Sequence, residues 1–290
     1  MVVWLYGINF CIGLLIMLPT YATLRRETGF SREYLKLLDG FDYTVYNDFM
    51  HNHGSAVNPL LSVGLWLGVF YLLLSLFFAG GQLLQVSATT DQRQLFRLSR
   101  FLAASVQYFG RFFRLFLCVA GFIALAGFVF VCLGALAGLS LSETSDERAV
   151  FGVLLICFFL FGTVALLAVC AGDYAKILLF RQDENRAFPA FWQGMRFVVR
   201  NFRTAFGSYL LLVGLAAAGF GLYFWIESWL VTSGWAGIAI LFVVQQWFVF
   251  SRIFLKVWIL ATAGQRFAEK ARFPLLELPR TGWETGGSVR

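Results

Sequence analysis

Six long apolar runs, separated by short polar breaks, make up most of the chain. A helix needs about 20 predominantly apolar residues to cross a hydrocarbon core about 30 Å thick, and each run has that length. The pattern predicts membrane-spanning helices at 2–22, 59–84, 115–139, 150–172, 205–229 and 236–263. We therefore expect an all-α, polytopic transmembrane helical bundle of about six spans, formed as a single domain over residues 1–290.

The first apolar run reads as a retained helix and not as a cleaved signal. It lacks a preceding positive charge and an A-x-A-like cleavage site, and its arginines follow the run as Arg25 and Arg26. The composition supports a membrane class, since 59% of residues are hydrophobic and only 13% are charged, against about 25% charged residues in soluble domains.

The distribution of lysine and arginine predicts the orientation of the bundle. Basic residues are dense between the second and third spans, between the fourth and fifth, and after the sixth. The third-to-fourth connection holds only Arg148, and the fifth-to-sixth holds no basic residue. The positive-inside rule therefore predicts that both termini are cytoplasmic. Four basic residues in the first loop, Arg25, Arg26, Arg32 and Lys36, oppose this orientation and are outweighed by the other loops.

The two long cytoplasmic connections are predicted to form amphipathic helices that lie in the membrane interface. In each, arginines fall on one side of a helix and apolar residues on another. The arginines are Arg93, Arg97, Arg100, Arg111, Arg114, Arg196, Arg200 and Arg203. We expect them to contact anionic lipids at the cytoplasmic face. This role explains the net charge of +7 without a nucleic-acid partner. The alternative is that they only enforce topology.

These two connections also resemble each other. Aligned without gaps, segments 101–116 and 191–206 match at three phenylalanines, and each segment follows a span that ends in small residues. The pattern predicts a parallel hairpin repeat of 59–139 and 150–229. Chance similarity is the alternative, because Phe-rich membrane sequence matches itself easily.

Metal-ligating residue types come close together in the first loop, at Asp48, His51 and His53. A His-x-His pair with one carboxylate can bind Zn²⁺, but this set is incomplete and lies beside Gly54 and Ser55 in a predicted turn. The five cysteines all fall in apolar runs without histidine neighbours, which is typical of free thiols. We therefore predict no metal site and no cofactor.

Ionisable residues are scarce inside the predicted spans, which disfavours a proton pump or an ion-coupled transporter. Arg252 and Lys256 share a face of the sixth span, at the same level as Asp173 at the end of the fourth. An ion pair from Asp173 to one of them would hold these two spans together. The alternative is that the three side chains reach the interface independently.

Uncharged polar residues also lie at membrane depth. They include Asn9, Gln245 and Gln246. Amides at this depth commonly hold helices together through hydrogen bonds. The alternative is that they line a path for a solute.

Several segments resemble uncharacterised multi-pass inner-membrane proteins of bacteria. The segments are Phe78-Ala79-Gly80-Gly81, Tyr108-Phe109-Gly110-Arg111-Phe112-Phe113-Arg114-Leu115 and Asp173-Tyr174-Ala175-Lys176. The likeness covers the chain from Leu60 to Leu212 and implies a polytopic helical fold in a bacterial inner membrane. It implies no activity, substrate or catalytic residue.

Two functional classes remain. The scarcity of buried charge favours a non-catalytic scaffold or accessory subunit of a membrane complex, whose partners are membrane lipids and another membrane protein subunit. The predicted repeat and the Gln245/Gln246 pair favour the alternative, a permease or lipid-handling transporter. We predict no enzymatic activity, because intramembrane hydrolases and transferases need a nucleophile with a base or clustered acids, and the two histidines lie in one loop.

Overall fold

The computed structural model describes residues 1–28, 42–91, 96–141, 147–182, 186–229 and 235–271. Over these ranges the chain forms α1 (Val2–Thr28), α2 (Tyr43–Asp91), α3 (Leu98–Leu141), α4 (Glu147–Gln182), α5 (Ala187–Arg200), α6 (Phe202–Trp229) and α7 (Trp235–Ala271). Six of these helices, all except α5, are long and apolar enough to cross a membrane. The predicted all-α, multi-pass architecture is confirmed.

Helix α3 differs from its sequence prediction, because the described residues before the third span, from Leu98 onward, belong to the same continuous helix as that span. The helix runs without a break for 44 residues, so it is about 66 Å long, roughly twice the thickness of the hydrocarbon core. Between Arg97 and Leu115 there is no proline and only one glycine, and nothing ends the helix there. Arg100, Arg111 and Arg114 therefore lie on the first part of the spanning helix.

The chain divides into two compact units, Met1–Ser75 and Leu76–Arg290, with the boundary inside α2. In the first unit, Nδ1 of His53 lies 3.1 Å from Oε2 of Glu27. The His53 ring also packs against Phe49, with ring centroids 5.4 Å apart. These contacts join the end of α1 to the beginning of α2.

The core of the second unit lies near the arginine-rich end of its helices. The largest fully buried side chains are Phe101, Ser105, Phe112 and Leu115 on α3, Cys170, Tyr174 and Leu179 on α4, and Val198 on α5. Aromatic rings connect these helices: Tyr108 to Phe180 at 4.9 Å, and Tyr174 to Phe197 at 5.0 Å. The Phe197 ring in turn lies 5.2 Å from that of Phe267 on α7. One end of the unit is thus packed like a soluble protein.

The most apolar stretches of the same helices are exposed. Each of the spans in α3, α4, α6 and α7 contains a strongly apolar stretch of 18 residues. Between 0% and 11% of the residues in these stretches are buried inside the protein. Large side chains such as Leu139, Phe151 and Trp235 are more than two-thirds exposed. A lipid environment explains this arrangement, because hydrocarbon tails solvate apolar side chains and no hydrophobic force then buries them in protein.

Two helix crossings in the second unit depend on small residues. A Cβ atom built on Gly80 of α2 would lie 2.7 Å from the carbonyl oxygen of Ala104 on α3, and one built on Gly194 of α5 would lie 2.6 Å from that of Ala171 on α4. The predicted repeat aligns Ala104 with Gly194. Aligned positions of the predicted repeat thus lie at the two crossings, while the duplication itself stays a prediction.

Helix α5 is short and amphipathic. It buries Ala187, Ala190, Phe191, Gly194 and Val198, whose spacing places them on one side of a helix. Proline stands within the first turn, where its missing N–H costs little, and Asn201 ends the helix with its N–H bonded to the carbonyl oxygen of Phe197. The apolar side of α5 therefore packs on protein, and its location in the membrane interface stays a prediction.

Candidate functional site

A narrow cleft opens between α4, α6 and α7 in the second unit. Its walls are formed by Asp173 and Tyr174 of α4, by Ala205, Ser208, Tyr209 and Leu212 of α6, and by Ile259, Thr262 and Ala263 of α7. The cleft combines a carboxylate with hydroxyl groups from all three helices, in an otherwise apolar bundle. Asp173, Ser208, Tyr209 and Thr262 are each half-buried.

The Asp173 carboxylate is paired within its own helix. Nζ of Lys176 lies 2.7 Å from Oδ1 of Asp173, and the two side chains are only 25% and 18% exposed. The sequence analysis did not predict Lys176 as the partner of Asp173. Its position three residues after Asp173 could have indicated this pair, because side chains at that spacing are neighbours on a helix.

Two further cations of α7 act on the same region. Asp173 attracts the Lys256 ammonium group, whereas Lys176 and Arg252 repel it. Arg252 and Lys256 are both exposed. Asp173 and Arg252 thus each interact electrostatically with Lys256, and a direct ion pair between α4 and α7 stays a prediction.

The depth of this cluster follows from helix length. Counted from the first residues of the predicted fourth and sixth spans, at 150 and 236, Asp173 lies about 35 Å and Lys256 about 30 Å along its helix. These lengths match the hydrocarbon thickness of about 30 Å. We therefore expect the cluster and the cleft to lie near the level where hydrocarbon gives way to lipid headgroups.

The predicted intramembrane amides have different environments. Nε2 of Gln245 on α7 donates a 3.2 Å hydrogen bond to the Tyr223 hydroxyl on α6, which joins two helices. In contrast, Nδ2 of Asn9 donates to the carbonyl oxygen of Leu5 at 2.7 Å, within α1. Gln246 is half-buried. Of the two roles considered for these residues, the contact of Gln245 matches the one that holds helices together.

Most of the arginines predicted to contact lipid are exposed. These are Arg97, Arg100, Arg114, Arg196, Arg200 and Arg203. Arg111 is half-buried, with its guanidinium 5.4 Å from the ring centroid of Tyr108, and Arg93 lies outside the described residues. Their contact with anionic lipid stays a prediction.

The candidate metal ligands are not brought together. His53 contacts Glu27, and Oδ1 of Asp48 accepts a 3.1 Å hydrogen bond from Nδ2 of Asn52. Among the residues that the structure describes, no group of three or more histidines, cysteines and acids could hold a metal ion.

No protein-family model, curated protein or solved structure matches this chain. Two features of the chain bear on its function: the cleft between α4, α6 and α7, and the exposed faces of the spanning helices.

Proposed function

We propose that this protein is a non-catalytic scaffold or accessory subunit of a membrane protein complex in the bacterial inner membrane, with both termini in the cytoplasm. The observation that carries this proposal is a row of glycines on α6, at Gly207, Gly214 and Gly221. All three are exposed, and a Cβ atom built on any of them would meet no described atom within 4 Å apart from its chain neighbours and its own helix backbone. Their spacing of seven residues places them on one side of the helix.

This row suits the approach of another helix. In lipid, helices associate through close packing of small residues, which lets backbones come near each other. A glycine in a helix interior costs about 1 kcal/mol relative to alanine, and no close contact with a described residue of the second unit offsets that cost at these positions. Exposed Ala217 and Ala218 lie between Gly214 and Gly221 and continue the small surface. A spanning helix of a partner subunit would pack there.

The test is an affinity purification of the tagged chain from native membranes in mild detergent. We expect a stoichiometric membrane protein partner with the wild-type chain and its loss with Gly214→Leu, because the larger side chain blocks close approach. The matched control is Gly219→Leu on the same helix. Gly219 also has open space around it, but it lies about 140° around α6 from Gly214, so this variant should retain the partner.

Two results would contradict the subunit role. One is equal partner recovery with both leucine variants. The other is a cross-link from a Gly214→Cys variant to α1 of the same chain, which would mean that the glycine row packs within the protein. Both measurements use the full chain, and circular dichroism of each variant verifies that the helices are retained.

A permease or lipid-handling transporter is the second candidate, and the cleft between α4, α6 and α7 supports it. A polar cleft is unusual in a bundle whose spans hold so few charged residues. Co-purification of a lipid or solute in place of a protein partner would favour this role over the subunit.

A further inference from the structure

Helix α5 packs beside the spanning helices, although its 14 residues are too few to cross a membrane. The Phe191 ring lies 5.7 Å from that of Phe122, which is about 10 Å along the predicted third span, counted from 115. Further along α5, the Phe197 ring lies 5.0 Å from that of Tyr174, just beyond the end of the predicted fourth span. On the predicted spans, these contacts place Phe191 at hydrocarbon depth and Phe197 near the headgroups.

A ridge of four exposed side chains runs along the outer side of α5. Phe188, Trp192, Arg196 and Arg200 follow one another at intervals of four residues, and side chains at that spacing are neighbours on a helix. Phe188 and Trp192 are 67% and 60% exposed, and both arginines are exposed as well. The ridge is therefore aromatic in its first half and basic in its second half.

The order of these residues matches the change in polarity at a membrane surface. Phe188 and Trp192 flank Phe191, the residue at hydrocarbon depth, whereas Arg196 and Arg200 lie one and two turns further toward the headgroups. Tryptophan is enriched at such interfaces, and guanidinium groups match the geometry of phosphate oxygens. A phospholipid beside α5 would thus meet apolar rings along its acyl chains and guanidinium groups at its phosphate.

We propose that the ridge of α5 binds an anionic phospholipid, with its acyl chains against Phe188 and Trp192 and its phosphate held by Arg196 and Arg200. The sequence analysis expected lipid contact from the arginines, and the exposed rings in line with them define where the acyl chains lie. An anionic headgroup is preferred because a zwitterionic one carries its own cation beside the phosphate. The site does not depend on the proposed subunit role, because it lies on α5 and not on the glycine row of α6.

The experiment uses the purified full chain, without its native cysteines, in nanodiscs of mixed phosphatidylglycerol and phosphatidylcholine. A Phe188→Cys variant carries a fluorophore, and a nitroxide near the top of an acyl chain is placed on one lipid or on the other at the same fraction. Both lipids should quench the fluorophore, and phosphatidylglycerol should quench it more strongly. Arg196→Gln should lower that preference by up to roughly fivefold, the change that corresponds to about 1 kcal/mol per basic residue near an anionic surface.

The control position for the label is Gln193→Cys, which is also exposed but lies about 140° around α5 from Phe188 and should be quenched weakly. Arg148→Gln removes the same charge far from α5 and should keep the lipid preference. If Phe188→Cys fails to fold, Trp192→Cys is the second position for the label. Equal quenching at the test and control positions, or equal quenching by the two lipids, would overturn the proposal. A label on the ridge that only a water-soluble quencher reaches, or that protein shields from every quencher, would overturn it as well.

Discussion

Gly194 of α5 lies so close to Ala171 of α4 that a Cβ atom built on the glycine would be 2.6 Å from the alanine carbonyl oxygen and 3.2 Å from the backbone nitrogen of Ala175. Both neighbours are backbone atoms of a helix, which cannot rotate out of the way as a side chain could. The crossing of α4 and α5 therefore requires glycine at this position, and α5 is held against the core by that close approach.

Gly194→Ala should destabilise the protein. The added methyl group forces the two helices apart, and such overpacking typically costs about 1–3 kcal/mol. Thermal unfolding in detergent measures the effect. Gly110→Ala is the matched control, because a Cβ there meets no heavy atom within 4 Å and alanine favours a helix by up to about 1 kcal/mol. A Gly194→Ala variant as stable as the control would contradict the close crossing.

The hydrogen bond between Gln245 and Tyr223 should show coupling in a double-mutant cycle. Tyr223→Phe removes the hydroxyl and keeps the ring that stacks on Phe248 at 5.2 Å, and Gln245→Met removes the donor at similar volume. Intramembrane hydrogen bonds average about 0.6 kcal/mol by this method. Thr163→Val on α4, whose hydroxyl bonds within its own helix, should be additive with Tyr223→Phe. Additivity of the Gln245 and Tyr223 changes would mean that the contact does not stabilise the protein.

A second cycle identifies the partner of Asp173. Asp173→Asn combined with Lys176→Gln should show the largest coupling, within the range of about 0–1 kcal/mol for partly solvated pairs, because these side chains lie 2.7 Å apart. Lys256→Gln and Arg252→Gln are each combined with Asp173→Asn in the same way. Coupling with either of them and not with Lys176 would instead establish the ion pair between α4 and α7.

The orientation can be measured by cysteine labelling in a background that lacks the native cysteines. Ser145→Cys, in the connection with few basic residues, should be labelled by an impermeant reagent from outside intact cells. Gln182→Cys, at the end of α4, should be labelled only after the membrane is opened. The reason is the excess of arginine and lysine on the Gln182 side. Reversed labelling would place both termini outside.

Several elements could be predicted from the sequence because their causes are local. Each spanning helix is marked by its own apolar run, since backbone groups in lipid must bond within the helix. The ends of α5 also have local causes, because Pro189 lies in its first turn and Asn201 caps its C-terminal end. The length of α3 was missed because hydropathy marks the part of a helix in the membrane and not the residue where the helix ends.

The cleft could be predicted only in part. Asp173, Arg252 and Lys256 were singled out because charges near a membrane are conspicuous, and Lys176 could have been added from its spacing to Asp173. Ser208, Tyr209 and Thr262 gave no comparable signal. Hydroxyl residues are common in spanning helices, and only the packing of α4, α6 and α7 against one another makes these three part of one site.

The sequence by itself determined the membrane class, the six apolar spans and the side on which the basic residues gather, because each depends on the order of residues along one helix. The tertiary structure decided that the core lies at the arginine-rich end, that Gly80 and Gly194 are crossing points, and that three helices enclose a polar cleft. These features depend on contacts between residues far apart in the chain. In lipid, where apolar side chains have no need to be buried in protein, hydropathy cannot indicate which helix faces meet.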